Sequence, residues 1–221
     1  MDGSKVKSLS HQVKFDDLRE YIQEVEKLGE LRRVEGASWE EDIGLAAELL
    51  LHNEKAPCAL FDEIPGYPKG HRVFTNFFGG RRQNITLGFP PNLSKFELSV
   101  AFNKAYQSVV QNPLPYEVVK TGPVMENIME GDEVDVLSFP TPLWHEGDGG
   151  RYIGTGSFNV TRDPEENWIN VGTYRVMVHD KKTVGFYISP GKHGRLHRQK
   201  YMSKNLPMPV CVVVGIDPLS F

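Results

Sequence analysis

The segment Asn112-Pro113-Leu114-Pro115 constrains this chain more than any other feature. Each proline lacks an amide hydrogen and pushes the residue before it out of helical backbone, so no helix passes through. Before the segment, apolar residues recur at helical spacing. Leu18, Tyr21, Ile22, Val25 and Leu28 share one face of a helix that should start at an Asp16 cap and end before Gly29. Ser38-Trp39-Glu40-Glu41 and Ser94-Lys95-Phe96-Glu97 read as capping boxes, the first opening an apolar, well-buried helix over Ile43–His52 and the second a helix to about Gln111. Cys58–Ile64 and Arg72–Phe78 read as strands bounded by Gly or Pro. After the prolines the texture changes to short β-like runs: Val118–Lys120, Val134–Phe139, Tyr152–Arg162, Trp168–His179, Thr183–Ser189 and Met208–Ile216. One helix interrupts them, over about Gly194–Asn205. The expected class is α+β, with an N-terminal α/β domain over residues 1–115 and a mainly β region over 116–221.

Composition narrows the function classes. With 221 residues, 39% hydrophobic and 24% charged, the chain can bury a core without staples and is no disordered polymer. A net charge of -4 argues against a dedicated nucleic-acid binder. No apolar run approaches the ~18 residues that span a bilayer, and Met1–Lys14 lacks a signal-peptide core, so the expectation is a cytoplasmic protein with no membrane partner. Cys58 and Cys211 each lie in an apolar run and read as buried thiols of a reducing compartment. The chain stops soon after the strong β run Met208–Ile216, which reads as a truncation.

Three stretches carry polar residues worth weighing. His145-Glu146-Gly147-Asp148-Gly149-Gly150-Arg151 combines acids with glycines, as a ligand loop or a solvated turn would. In Asn170-Val171-Gly172-Thr173-Tyr174-Arg175, period-two alternation puts Asn170, Gly172 and Tyr174 on one face and Val171, Thr173 and Arg175 on the other. A glycine inside a strand marks close approach of something large, and Arg175 is a fork for a carboxylate or phosphate, or else an ion-pair partner for a surface acid. Ser189-Pro190-Gly191-Lys192-His193-Gly194-Arg195 turns from a strand into a helix, where free amides with Lys192 and Arg195 suit an anion. His193 and His197, four apart, would share a helix face, as a metal pair or as part of a basic surface. There is no dinucleotide fingerprint, P-loop, nucleophile elbow or cysteine-pair metal site.

Taken together, Leu18–Ala46, Pro140–Arg151, Asn159–Asp163, Asn170–Arg175 and Ser189–Arg195 resemble the UbiD family of decarboxylases, in order and at compatible spacing along nearly the whole chain. The most specific element is Asn-Val-Gly-x-Tyr-Arg followed, after the next strand, by the histidine of Lys192-His193-Gly194. The resemblance implies an N-terminal α/β domain, a flavin-binding split β-barrel and a C-terminal domain that helps make dimers or higher oligomers. It implies reversible, non-oxidative decarboxylation of aromatic or α,β-unsaturated carboxylic acids with prenylated FMN, a divalent metal, usually Mn2+, and K+. A flavin prenyltransferase would supply the cofactor. A flavin reductase on a split barrel is the remaining rival, and no nicotinamide motif supports it.

Residue by residue, the resemblance implies that Asn170 and His193 ligate the metal that bridges to the cofactor phosphate. Gly172, Thr173, Tyr174 and Lys192 would line the cofactor, and Arg175 would grip the substrate carboxylate or the flavin edge. Family chains are about twice as long, and their catalytic glutamates, phosphate- and potassium-binding serines and C-terminal domain lie downstream of the last strand here. Glu126, Glu130 and Glu133 precede the barrel strands and do not replace them. The chain is therefore expected to be the N-terminal part of such an enzyme, inactive alone and with the C-terminal domain absent. The alternative is a non-catalytic flavin-binding or assembly subunit completed by a partner chain that carries the missing half.

Overall fold

The computed structural model describes residues 11–154 and 156–221. Contacts divide the chain into two compact units that interleave along the sequence. One joins the described residues up to Lys14 with Phe78–Val134, and the other joins Phe15–Phe77 with Asp135–Phe221.

In the larger unit, helix α1 spans Leu18–Lys27. Its cap is Asp17, one residue later than expected: the Asp17 carboxylate accepts from the Glu20 amide at 2.9 Å, while Glu20 reaches back to the Asp16 amide at 2.8 Å. Tyr21, Ile22 and Val25 form the buried face. Gly29 then ends the helix at φ +76, a left-handed turn that costs glycine nothing. Strand β1 (Leu31–Glu35), helix α2 (Asp42–Leu51) and strand β2 (Cys58–Asp62) make a right-sized crossover, with β1 and β2 parallel. β3 (Val73–Thr75) adds antiparallel to β2, which is thus central and almost wholly buried. β1 is a strand the sequence reading does not include, and the Ser38–Glu41 capping box does not form: Glu41 is the N-cap of α2 with no side-chain cap bond, and Ser38 pairs with Asp42. The Asp42 carboxylate accepts from the Ser38 amide at 2.9 Å, and the Ser38 hydroxyl accepts from the Asp42 amide at 3.3 Å. Ile43 packs into a core of Ala37, Ala59, Phe61 and Ile64, against Trp39 and Trp144. The outer face of α2 is also apolar, and Leu45, Leu49 and Leu51 are exposed rather than buried as expected.

The smaller unit is helical. α3 (Gly80–Thr86) and α4 (Lys95–Gln111) gather a small core of Phe89, Leu98 and Ala101. The capping box read at Ser94 and Glu97 is present, with both reciprocal bonds made. Val118–Lys120 is not a strand, and Val134–Phe139 forms a short 3-10 turn at Val136–Ser138 instead. A strand needs a paired neighbour, and Val118 and Val119 stand exposed with none.

The remaining strands build two antiparallel three-stranded sheets in the larger unit. β4 (Arg151–Tyr152), β7 (Arg175–Val178) and β8 (Val184–Tyr187) form one, in the order β4-β7-β8. β5 (Ser157–Arg162), β6 (Ile169–Gly172) and β9 (Val210–Val214) form the other, in the order β6-β5-β9. The run expected as one strand over Trp168–His179 breaks at Thr173-Tyr174, so β6 and β7 belong to different sheets. Chain crowding at the break is severe: a Cβ on Gly154 would lie 2.4 Å from the Tyr174 carbonyl oxygen and 2.6 Å from the Ser157 hydroxyl. Helix α5 (His193–Ser203) packs on β5 and β6. Cys58 is buried, its thiol donating to the Glu30 carbonyl at 3.2 Å, but Cys211 is exposed because β9 lies at a sheet edge. Among the described residues, no helix is long and apolar enough to cross a membrane.

Candidate functional site

Polar side chains occupy alternate positions on β5 and turn inward: Ser157, Asn159 and Thr161 are all buried. The antiparallel register sets Thr161 opposite Asn170 on β6 and Asn159 opposite Gly172. Asn170 is buried too, and its amide group donates to the Thr161 hydroxyl at 3.2 Å and to the Tyr174 hydroxyl at 3.0 Å. The Tyr174 hydroxyl also accepts from the Gly194 amide at 3.3 Å. One phenol thus ties β6 to the first turn of α5, where His193 is the first helical residue and Lys192 the N-cap, with no side chain capping the helix.

Two glycines make room for that phenol. A Cβ on Gly172 or on Gly194 would lie 2.8 Å from the Tyr174 hydroxyl oxygen. The close approach that a glycine in the strand signals is therefore made, at Gly172, by the Tyr174 ring. The alternation read from the sequence holds, for Asn170 and Tyr174 are buried while Val171, Thr173 and Arg175 are exposed. His193 and Lys192 are exposed as well, and the His193 ring stands edge-on to Trp168 with centroids 4.9 Å apart. The Tyr174 hydroxyl thus joins Asn170, beside Gly172, to the Gly194 amide, which follows Lys192 and His193 in the chain. Arg175 begins β7, with its guanidinium 6.0 Å from the centre of the Tyr152 ring and no acidic partner among the described residues.

His197 also stands edge-on to Trp168, with centroids 5.1 Å apart, but lies at 1% exposure. Its Nδ1 is 3.0 Å from the Thr161 hydroxyl, and its Nε2 has no hydrogen-bond partner, lying 3.8 Å from Asp163 Oδ2. Burial pushes the His197 imidazole below its ordinary pKa, against the pull of the Asp163 carboxylate, and so favours the neutral ring. Asp163 accepts from Lys200 at 2.7 Å and from the amides of Glu165 and Glu166 at 2.9 and 3.1 Å. The Lys200 ammonium, and then those amides, hold its carboxyl far below the usual range. Thr161 and Asp163 lie within the Asn159–Asp163 stretch of the family resemblance, but neither they nor Lys200 are among the expected site residues. A further signal, for Thr161 alone, is the period-two polar series Ser157, Asn159, Thr161, an odd thing on an inward strand face.

The loop over residues 145–151 is spent on structure. His145 bonds Glu48 on α2 at 3.1 Å and its amide donates to Asp148, and the Glu48 carboxylate pulls the imidazole above its ordinary pKa. Arg151 donates to the Thr141 carbonyl at 2.7 Å, binds the Tyr67 hydroxyl and lies 3.9 Å over the Trp39 ring.

Asn170 Oδ1 accepts no hydrogen bond among the described residues and keeps access to solvent. With the exposed His193 imidazole it offers one amide oxygen and one imidazole nitrogen, donor types that suit a divalent ion of the Mn2+ kind. Among the described residues no three His, Cys, Asp or Glu side chains gather into a metal group, so the donors fit two ligands of such a site rather than a closed cage. The uncapped start of α5 suits an anion beside it.

Comparison with known proteins bears on the same residues. The model of the 3-octaprenyl-4-hydroxybenzoate carboxy-lyase N-terminal domain matches residues 22–101, and that of the carboxy-lyase Rift-related domain matches residues 117–221. A phenolic acid decarboxylase of Sedimentibacter hydroxybenzoicus is 32% identical over 214 residues, which are 93% of this chain and 43% of that protein. The closed form of the vanillic acid decarboxylase of the same organism superposes with a TM-score of 0.85 at 30% identity, over 93% of this chain and 44% of that one. An evolved dimeric form of the UbiD-class enzyme HmfF from Pelotomaculum thermopropionicum, in complex with prFMN, gives 0.77 at 25% identity, over 91% and 45%. The chain therefore spans less than half the length of the relatives it matches. Both family models, placed in order along its sequence, and the shared mixed helix-and-sheet fold establish that this chain belongs to the UbiD carboxy-lyase family.

Proposed function

We propose that this chain is the N-terminal part of a reversible, non-oxidative decarboxylase of aromatic or α,β-unsaturated carboxylic acids that works with prenylated FMN. In chain order, residues 1–115 are its N-terminal domain and 116–221 the first part of its flavin-binding barrel, a division supported by the limits of the two family models. The observation that carries the reading is the Tyr174 hydroxyl, which joins Asn170 to the helix start that bears His193. Asn170 and His193 are the ligands this chain gives to Mn2+, next to an anion-seeking helix terminus suited to the cofactor phosphate. Gly172, Thr173, Tyr174 and Lys192 border that position, and K+ binds nearby with groups from outside this chain. When bound, the cofactor supplies an electron sink for the carbon that loses carbon dioxide. Arg175, exposed and without an acidic partner among the described residues, orients the substrate carboxylate through its planar fork.

The acid that returns a proton to carbon lies outside this chain, which is inactive alone. The bare apolar face of α2 and the half-exposed Val214 on β9 support a fold completed by further polypeptide, as more of the same chain or as a partner subunit. A flavin prenyltransferase supplies the cofactor in the cytoplasm, and the complete enzyme is an oligomer. The test is expression of the protein as its gene encodes it, together with a flavin prenyltransferase. Purified protein should show a flavin-type spectrum, retain manganese and release carbon dioxide from a member of a panel of aromatic acids. A colourless, metal-free protein inert on the whole panel overturns the proposal.

A further inference from the structure

The buried His197 is not needed as a ligand or a base in the reading above, yet it sits at the end of a chain of polar contacts that leads to Asn170. Three links make the chain. His197 Nε2 faces Asp163 Oδ2 at 3.8 Å, His197 Nδ1 meets the Thr161 hydroxyl at 3.0 Å, and the Thr161 hydroxyl meets the Asn170 amide at 3.2 Å. A neutral imidazole carries its proton on one nitrogen only, and the other is an acceptor. Asp163 is ionised, so a proton on Nε2 is attracted to it and a lone pair there is repelled. The proton therefore belongs on Nε2, the buried nitrogen that faces the carboxylate without a hydrogen-bond partner. Nδ1 is then an acceptor, and the Thr161 hydroxyl must give it its single proton. What Thr161 has left for Asn170 is a lone pair, so Asn170 must present its NH2 group and not its carbonyl. The Tyr174 hydroxyl takes the second amide hydrogen at 3.0 Å. Both hydrogens of the amide are then taken by Thr161 and Tyr174, and Oδ1 is the atom left without a hydrogen bond among the described residues.

We propose that Thr161 and His197 are positioning residues: the relay Asp163–His197–Thr161 sets the direction of the Asn170 amide, so that its oxygen and not its nitrogen is offered to the metal. The proposal rests on the reading of Asn170 as a metal ligand. A reversed amide would point two partial positive hydrogens at a cation, so the direction of this one group decides whether the residue is a ligand or an obstacle. The hydroxyl is the element that transmits the choice. Valine is isosteric with Thr161 and cannot transmit it, whereas serine can.

The experiment uses the protein as its gene encodes it, labelled with 15N-histidine, and reads the His197 tautomer from the imidazole nitrogen shifts. The same preparation, without flavin, is titrated with Mn2+ alone and free Mn2+ is followed by electron paramagnetic resonance. A neutral His197 ring protonated on Nε2 is expected. Thr161→Val should weaken Mn2+ binding about 10–100-fold, the usual scale for an outer-shell partner, and Thr161→Ser should restore it. Asn170→Ala should weaken it at least as much as Thr161→Val. A His197 proton on Nδ1, or wild-type Mn2+ affinity in Thr161→Val, overturns the relay and leaves the metal reading standing. Mn2+ binding unchanged in both Asn170→Ala and His193→Ala overturns the metal reading, and the proposal falls with it. The tautomer needs only the wild-type protein, so it decides the relay even where Thr161→Val does not fold.

Discussion

Arg175→Ala separates a substrate-holding arginine from a packing one, because the structure makes the two costs unequal. Arg175 is exposed, and the contact of its guanidinium is with the Tyr152 ring, 6.0 Å from the ring centre. An exposed cation–π contact is worth about 0.5–1 kcal/mol. A loss of 1 kcal/mol moves the melting temperature of a 150–250-residue chain by about 2–4 °C and that of a longer chain by less, so Arg175→Ala should melt within roughly 4 °C of wild type. The expected catalytic loss is far larger. Removing a charge-assisted donor aimed at a reacting carboxylate costs about 2.7–4 kcal/mol of transition-state stabilisation, by analogy with an oxyanion donor, or roughly a hundred- to a thousand-fold in rate. Arg175→Lys keeps the charge and loses the planar fork, so it should recover little of that rate. The assays are a thermal melt and carbon dioxide release under single turnover, both on the complete, cofactor-loaded enzyme. Normal turnover in Arg175→Ala refutes the role given to this residue. So does a melting temperature lowered by 10 °C or more (about 3 kcal/mol), which would make Arg175 a structural residue after all.

Two further outcomes test the frame around the site. In Gly44→Ala, the new Cβ would lie 2.5 Å from the backbone oxygens of Leu143 and Trp144; overpacking of about 1–3 kcal/mol should outweigh a helix-propensity gain of up to ~1, and a urea midpoint at or above wild type would contradict the close approach of α2 to that segment. Asp163 has a folded-state pKa depressed below its unfolded value of ~3.9, so its contribution is complete above that value and is lost as pH falls below it; the stability gap between wild type and Asp163→Asn, read from urea midpoints, should be constant from pH 7 to about pH 5 and shrink below about pH 4.

What the sequence disclosed here was decided within a few residues of chain. The Ser94–Glu97 box, the Asp–Glu cap of α1 and the Gly29 stop are local hydrogen-bond or backbone arguments, and each appears within a residue of its expected place. The inward and outward faces of 170–175 were legible for the same reason, since alternation needs only an extended backbone. What failed depended on partners far away. Val118–Lys120 has strand-like residues, but no second strand lies beside it. Cys211 lies in an apolar run, yet its strand is at an edge, and an edge position is a property of the sheet order rather than of the run. The break at Thr173-Tyr174 belongs to this class, because it is where the chain leaves β6, paired with β5, for β7, paired with β4 and β8.

The candidate site shows both kinds of information meeting in one residue. Its sequence has a glycine two positions before Tyr174 and another just after His193, and each glycine alone reads as a turn or a weak strand position. Only when β6, the Thr173-Tyr174 break and the start of α5 are in place do the two become walls of a single slot for one phenol. A side chain at either wall would displace the Tyr174 hydroxyl, and with it the bond to Asn170 and the bond to Gly194. The metal donors expected from the sequence are 23 positions apart, from 170 to 193, so nothing in their local spacing could show that Asn170 and the Gly194 amide next to His193 share a common partner. That partner is neither a ligand nor an acid. It is a tyrosine whose hydroxyl accepts from both sides, and the two glycines exist in the pattern because it must fit between them.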